Sequence, residues 1–399
     1  MMMKKITKNS TSIIFTGDIG FDKYMDHKWE DENFIACDVL GYLKSSDHLV
    51  INVEGPLSKQ EKIVRENGVT ALTHSMDPAA ADFFEKLGAD IWNINNNHIM
   101  DVSEKGIKDT LDIASKKGVK TLGAGMNIDE AKKPIILDEA GGIGLLAVGY
   151  ERACRKAGEN TPGCLNFSDI DIVKEQIANI KKECRWCVVV AHDGEEFTAL
   201  PMPYTRDRYL SYLDMGADIV VAHHPHVPMN YELISGGDKA IFYSLGNFIF
   251  DTDYQRSQFN TEYGLFLKLK LTKSDFEFEP FGIKIDRADD SILPWSVPKI
   301  FENVPEDEYQ KLLPLAAKMF IENTKRQLKY LKPDVFKDAT EEQFVENFYE
   351  PLRSGRVPGK ILDFQIVYPL SLEFEAKGWE NSTMSEVKEY MLDQIDLIK

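Results

Sequence analysis

Residues 89–101 read Ala-Asp-Ile-Trp-Asn-Ile-Asn-Asn-Asn-His-Ile-Met-Asp. An apolar run passes straight into Asn95, Asn96, Asn97 and His98, and helical spacing begins just beyond. A buried strand that ends on adjacent polar side chains either turns there or meets something charged. Which of the two applies decides how the rest of the chain is read.

The same theme recurs from residue 12 to about 250. Short β-branched runs at 12–16, 49–53, 90–94, 120–122, 187–191, 218–222 and 240–245 each end in polar residues, with helix-spaced segments between them. Ile107, Leu111 and Ala114 mark one face of such a helix. Asp101 and Glu104 are placed as a capping box at its start, and Gly118 as its stop. Alternating strands and helices predict an α/β fold with a largely parallel or mixed sheet. A hairpin is expected at 134–137 and 143–148, turning at Gly141-Gly142. Past residue 260, Leu265, Leu267 and Leu269 alternate with lysines, which predicts antiparallel strands closing the domain. From about 290 the composition shifts, with Pro294, Pro298, Pro305 and Pro314 punctuating a Lys/Glu-rich stretch. The reading is a domain over 11–289 and a mostly helical C-terminal extension over 290–399 of unknown role.

The chain has 399 residues, 43% hydrophobic and 28% charged, which places it among globular proteins. Its 65 acidic and 47 basic residues give a net charge of −18 with no basic run, which argues against a nucleic-acid partner. A small anion stays possible where metal ions supply local positive charge. The apolar stretch at 13–15 is too short for a signal peptide, and no apolar run is long enough to span a membrane. A cytoplasmic location is therefore expected. The five cysteines are irregularly spaced and do not resemble a disulfide scaffold. Cys184-Arg-Trp-Cys187 has redox spacing but leads into a strand, so it is not read as a redox or zinc site.

Open α/β sheets place ligands at the carboxyl ends of their strands. Five such ends here carry Asp18, Asn52 and Glu54, Asn95 to His98, His192 to Glu196, and His223, His224 and His226. One of these alone would be an ordinary turn. Together they would bring two carboxylates, an amide oxygen and several imidazoles into one cleft. Carboxylates so close repel unless a cation lies between them. Imidazole and carboxylate donors suit first-row divalent metals, and their number suffices for two ions sharing a bridging carboxylate. His224-Pro225-His226 is expected to be extended, with both imidazoles on one side and each reaching a different ion.

In order along the chain come Gly17-Asp18, Asn52-Val-Glu54-Gly55-Pro56-Leu57, Asn96-Asn97-His98-x-x-Asp101 and His192-x-Gly194-x-Glu196. Gly216-Ala-Asp218 through His224-Pro-His226 and Tyr243-Ser-Leu-Gly-Asn247-Phe follow. Over roughly residues 11 to 251 this set resembles the CapA family, named for poly-γ-glutamate capsule synthesis, within the calcineurin-like metallophosphoesterase superfamily. The resemblance implies an α/β/β/α sandwich with two divalent metal ions (Mn, Fe, Zn or Mg). Asp18, Glu54, Asn97, His192, His224 and His226 would be the metal ligands, with Glu54 in the bridging position. His98 would be the catalytic residue, touching the phosphoryl group and protonating the leaving oxygen. One departure stands out: the superfamily's first motif is Asp-x-His, and here it is Asp18-Ile19-Gly20.

Around this set, Asn52, Glu196, Ser244 and Asn247 are candidates for support or substrate contact. Glu196 could instead pair with Arg206 or Arg208, and Ser244 with Asn247 could form a tight turn. His27, His48 and His74 carry no motif and are read as surface or structural residues, and Asp101 as a helix cap. The expected function is a metal-dependent phosphoesterase acting on a small anionic substrate. The alternative is a non-catalytic or amide-bond-acting partner in polymer or envelope biosynthesis that binds an acidic ligand, a polymer or a nucleotide.

Overall fold

The computed structural model describes residues 9–59, 74–149, 155–201 and 203–312. The extension expected over 290–399 lies outside these residues beyond 312. In chain order the strands are β1 (Ser10–Ile19), β2 (His48–Val53), β3 (Ile91–Asn93), β4 (Lys120–Leu122), β5 (Ala124–Gly125), β6 (Ile135–Leu137), β7 (Ile143–Gly149) and β8 (Gly163–Cys164). They continue with β9 (Trp186–His192), β10 (Ile219–His223), β11 (Tyr231–Ile234), β12 (Lys239–Phe242), β13 (Asn247–Ile249), β14 (Tyr263–Thr272), β15 (Phe276–Asp286) and β16 (Ser291–Trp295).

Two large sheets result. One runs β16-β15-β14-β1-β2-β3-β4, with β13 also pairing β1, and the other runs β11-β12-β10-β9-β7-β6. In the first, β1 to β4 are parallel while β14, β15 and β16 add antiparallel neighbours. In the second, β7, β9, β10 and β12 are parallel, and β6 closes the expected hairpin against β7.

The alternation of side chains along each strand builds three apolar layers from two sheets. Ile13 and Phe15 of β1 face Leu145 of β7, Val188 and Val190 of β9 and Val221 of β10 between the sheets. Ile14 points the other way, into a core with Phe84, Leu87 and Ile107 under the helices Ala80–Leu87 and Glu104–Lys117. Val189 and Ala191 likewise turn outward, onto Ile177 and Tyr212 of the helices Ile170–Glu183 and Pro203–Asp214. The order is helix, sheet, sheet, helix: an α/β/β/α sandwich. The strands buried on both faces read as continuous apolar runs, as parallel strands do.

Gly118 ends the helix Glu104–Lys117 in a left-handed conformation, φ 69°, as expected. The capping box does not form. Ser103 occupies the cap position without a side-chain bond, and Asp101 is engaged elsewhere, as described below. Cys184 and Cys187 are free, and burial pushes the Cys187 thiol up to about 12, which removes it from thiolate chemistry. Cys164 is disulfide-bonded. Among the described residues no helix is long and apolar enough to cross a membrane.

Candidate metal centre

Parallel pairing brings the carboxyl ends of β1, β2 and β3 side by side, and the second sheet sets the ends of β9 and β10 against them. Asp18 sits in register with Asn52 on one side and Asn247 on the other. Asn93 donates to Asn52 Oδ1 at 2.8 Å, and Asn52 Nδ2 donates to Asp18 Oδ1 at 2.7 Å. This amide chain orients the Asp18 carboxylate. Asn93 was not among the expected site residues; its only signal is its place at the end of a strand.

The polar run at 95–98 forms a turn and borders the candidate centre. Asn95 donates to the Leu165 carbonyl and Asn96 to the Val53 carbonyl, and Asn96 Oδ1 accepts from the His98 amide. These bonds hold the loop so that Asn97 Oδ1 lies 2.8 Å from His192 Nε2. His98 Nδ1 is 2.7 Å from Asp101 Oδ2. Asp101 is therefore the partner of His98 and not a helix cap.

Two groups of donors follow, each with its ligand atoms within 4.8 Å of one another: Glu54, His192 and His224, and Asp18, Glu54 and His226. All are buried, and Glu54 is common to both. His224 and His226 fall into different groups, but the backbone between them is not extended. His224 has φ 102° and His226 φ 59°, a conformation that costs about 1–3 kcal/mol per non-glycine residue. Its cause is the tethering of the segment. The Pro225 carbonyl accepts from the Phe197 amide, and the His223 carbonyl from Asp193. His223 itself turns to the Thr16 carbonyl, 2.9 Å from Nε2, and joins neither group.

Among the supporting candidates, Asn247 Oδ1 lies 2.9 Å from His226 Nδ1, and its amide donates to Thr261 O and Gln255 Oε1. Ser244 Oγ accepts from the Gly246 amide in the turn before it. Arg206 is held by Glu232 and Glu306 and Arg208 by Asp193. Glu196 lies near enough for its charge to raise both Glu54 and His226. His226 is flanked by Phe250 at 4.7 Å and Phe197 at 5.9 Å between ring centroids.

Phe250 also accounts for the missing first-motif histidine. A Cβ on Gly20 would lie 2.6 Å from its ring. The ring thus fills the space a side chain at position 20 would need. Gly20→Ala is expected to destabilise the fold by about 1–3 kcal/mol through overpacking, read as a lowered denaturation midpoint; an unchanged midpoint would contradict it.

Without cations the centre is electrostatically unsatisfied. Both Glu54 carboxylate oxygens are buried with no hydrogen-bond partner among the described residues, and Asp18 Oδ2 lies 3.3 Å from His226 Nδ1. Two imidazole nitrogens approach Glu54 Oε1, His192 Nε2 at 3.5 Å and His226 Nε2 at 3.6 Å. Burial, reinforced by Asp18, drives the Glu54 carboxyl well above the usual carboxylate range. Burial disfavours the imidazolium of His226, yet Glu54 and Asp18 outweigh it and push the group up to about 10. Burial and then the charge of His226 hold His224 down to about 3, and burial lowers His192 and His98 as well. A buried carboxylate without donors is costly. Divalent cations would satisfy these oxygens, and the carboxylate–imidazole–amide set suits them.

The family whose model matches this chain belongs to the calcineurin-like phosphoesterase superfamily. Within it, the chain belongs to the bacterial capsule synthesis protein PGA_cap family, whose model matches residues 12–252. The PGA biosynthesis protein CapA of Bacillus subtilis (strain 168) is 31% identical over 288 residues, covering 70% of this chain and 74% of that protein. The capsule biosynthesis protein CapA of Bacillus anthracis is 30% identical over 233 residues, or 57% of this chain and 56% of that one. The chain thus spans little more than half of the second relative. A crystal structure of a hypothetical protein from Thermus thermophilus resembles it at a TM-score of 0.43 and 13% identity, over 68% of this chain and 99% of that one. That likeness is too loose to bear on function.

Proposed function

We propose that this chain is a metal-dependent hydrolase acting on a small anionic phosphate ester. Its two donor groups would hold a pair of divalent cations, Mn, Fe, Zn or Mg, with Glu54 shared between them. The observation that carries the reading is Glu54 itself: a fully buried carboxyl, common to both groups, with no hydrogen-bond donor for either oxygen among the described residues.

Such a pair, once bound, supplies Lewis acidity toward phosphoryl oxygens and lowers the pKa of water. The chain's own residues do the rest. Asp18, held by the Asn93–Asn52 amide chain, and Asn247, bonded to His226, keep the donors in place. Phe197 and Phe250 stack on the His226 ring. Asp101 accepts from Nδ1–H of His98 and favours its imidazolium, whose Nε2–H would be the proton given to the leaving oxygen.

Metal content of the purified chain, grown with manganese and kept from chelators, tests the reading. About two ions per chain are expected for a shared-carboxylate pair, followed by turnover on a panel of phosphate esters. Near-zero content would sink it. Loading must also expel the proton that His226, pushed up to about 10, holds at neutral pH. Metal affinity is therefore expected to rise with pH through neutrality, with proton release on binding. Calorimetry in buffers of different ionisation heat measures that release, and pH-independent uptake would count against the ligand set.

The relatives' names favour a setting in capsule polymer biosynthesis. They also support a second reading, in which the chain is a non-catalytic or amide-bond-acting partner that binds an acidic polymer. A metal-loaded protein without esterase activity that binds a polyglutamate chain would favour it.

A further inference from the structure

His74 belongs to none of the strand-end motifs, yet it is anchored beside His98 in three ways. Its amide donates to Asp101 Oδ2 at 2.8 Å, and its Nδ1 pairs with Asp22. Its carbonyl abuts Gly55, where a Cβ would lie 1.9 Å from the oxygen. Gly55 follows Glu54 directly and has φ 123°, so the close approach and the backbone conformation both require glycine there. The His74 ring packs edge-to-face on His98 at 4.2 Å and lies 4.9 Å from Phe250, which stacks on His226.

Asp101 thus serves two histidines, through the ring of one and the backbone of the other. In both imidazoles Nδ1 is taken by a carboxylate, and Nε2 makes no hydrogen bond among the described residues. A carboxylate at Nδ1 fixes the ring's orientation and leaves Nε2 for a ligand. A tie between residues 22 and 74 alone would need no second ring nitrogen and no packing on His98. His48 and Asp90 form a pair of the same chemistry, 2.7 Å apart. That pair stands at the start of β2, the end opposite Glu54, and serves as an internal control.

We propose that His74 is a second substrate-contacting imidazole: with Nδ1–H held by Asp22, and that of His98 by Asp101, the two rings act as imidazoliums that donate Nε2–H to the anionic oxygens of the phosphoryl group. The inference rests on the phosphoester reading above.

The test uses the metal-loaded full chain with inorganic phosphate as probe. His74→Asn retains an amide N–H for Asp22 but lacks Nε2, whereas His74→Gln reaches the Nε2 position. Losing one hydrogen bond to a charged group should weaken phosphate binding about tenfold in His74→Asn. KM for an ester should rise more than kcat falls, with metal content and Tm unchanged. His74→Gln should recover part of the loss, and His48→Asn should bind like the wild type. Wild-type phosphate binding in His74→Asn, or a loss that tracks lowered Tm and metal content, overturns the inference alone. No phosphate uptake by the wild-type metal-loaded chain overturns the phosphoester reading, and this inference with it.

Discussion

Replacing Glu54 with alanine is expected to strip both ions and abolish turnover in one step. Asp18, His192, His224 and His226 each serve one donor group, and Glu54 serves both, so its loss uncouples the pair. The measurement is metal content together with thermal melting. Ligand that binds only the folded state stabilises it by about 2.7 kcal/mol at a hundredfold excess over Kd. Wild-type Tm should therefore rise with manganese, and that of Glu54→Ala should not. The metal-free forms are expected to differ little. The alanine leaves a cavity but also removes a buried carboxyl that no donor among the described residues satisfies. A variant that still holds two ions would refute the bridging assignment.

His98→Ala is expected to do the opposite, keeping both ions while losing turnover. A positioned general acid contributes about 10²- to 10⁴-fold, and that loss should appear in full on alkyl phosphates, whose leaving oxygen needs a proton. On aryl esters with acidic phenols the deficit should shrink sharply, because the leaving group departs as an anion. Asp101→Asn should fall between, by about 10- to 100-fold, since Asp101 orients His98 and also holds the His74 backbone. Equal losses on both ester classes would mean that His98 positions the phosphoryl group and does not protonate the leaving oxygen.

Much of this architecture is written in local pattern. Ile13, Ile14 and Phe15 announce a strand buried on both faces, and the hairpin at Gly141-Gly142 and the stop at Gly118 follow from backbone chemistry. Other features failed for lack of a local signal. Asp101 has the spacing of a capping residue, but two histidines, one of them 27 residues earlier, offer it better hydrogen bonds. His74 carries no motif because its partners Asp22, Gly55 and His98 lie far along the chain. His224 precedes a proline, which favours extended backbone, yet contacts from Phe197 and Asp193 impose a positive φ.

The sequence by itself determined which strands end in donors: an apolar run closing on Asp, Glu, Asn or His is a local property, readable in a window of about ten residues. Only the tertiary structure decided which donors meet. That Glu54 lies between His192 and His226, and that Phe250 fills the place beside Gly20, depends on strand register and on how one sheet stacks on the other. Those are set by non-local packing between residues far apart along the chain, and periodicity within one segment does not encode them.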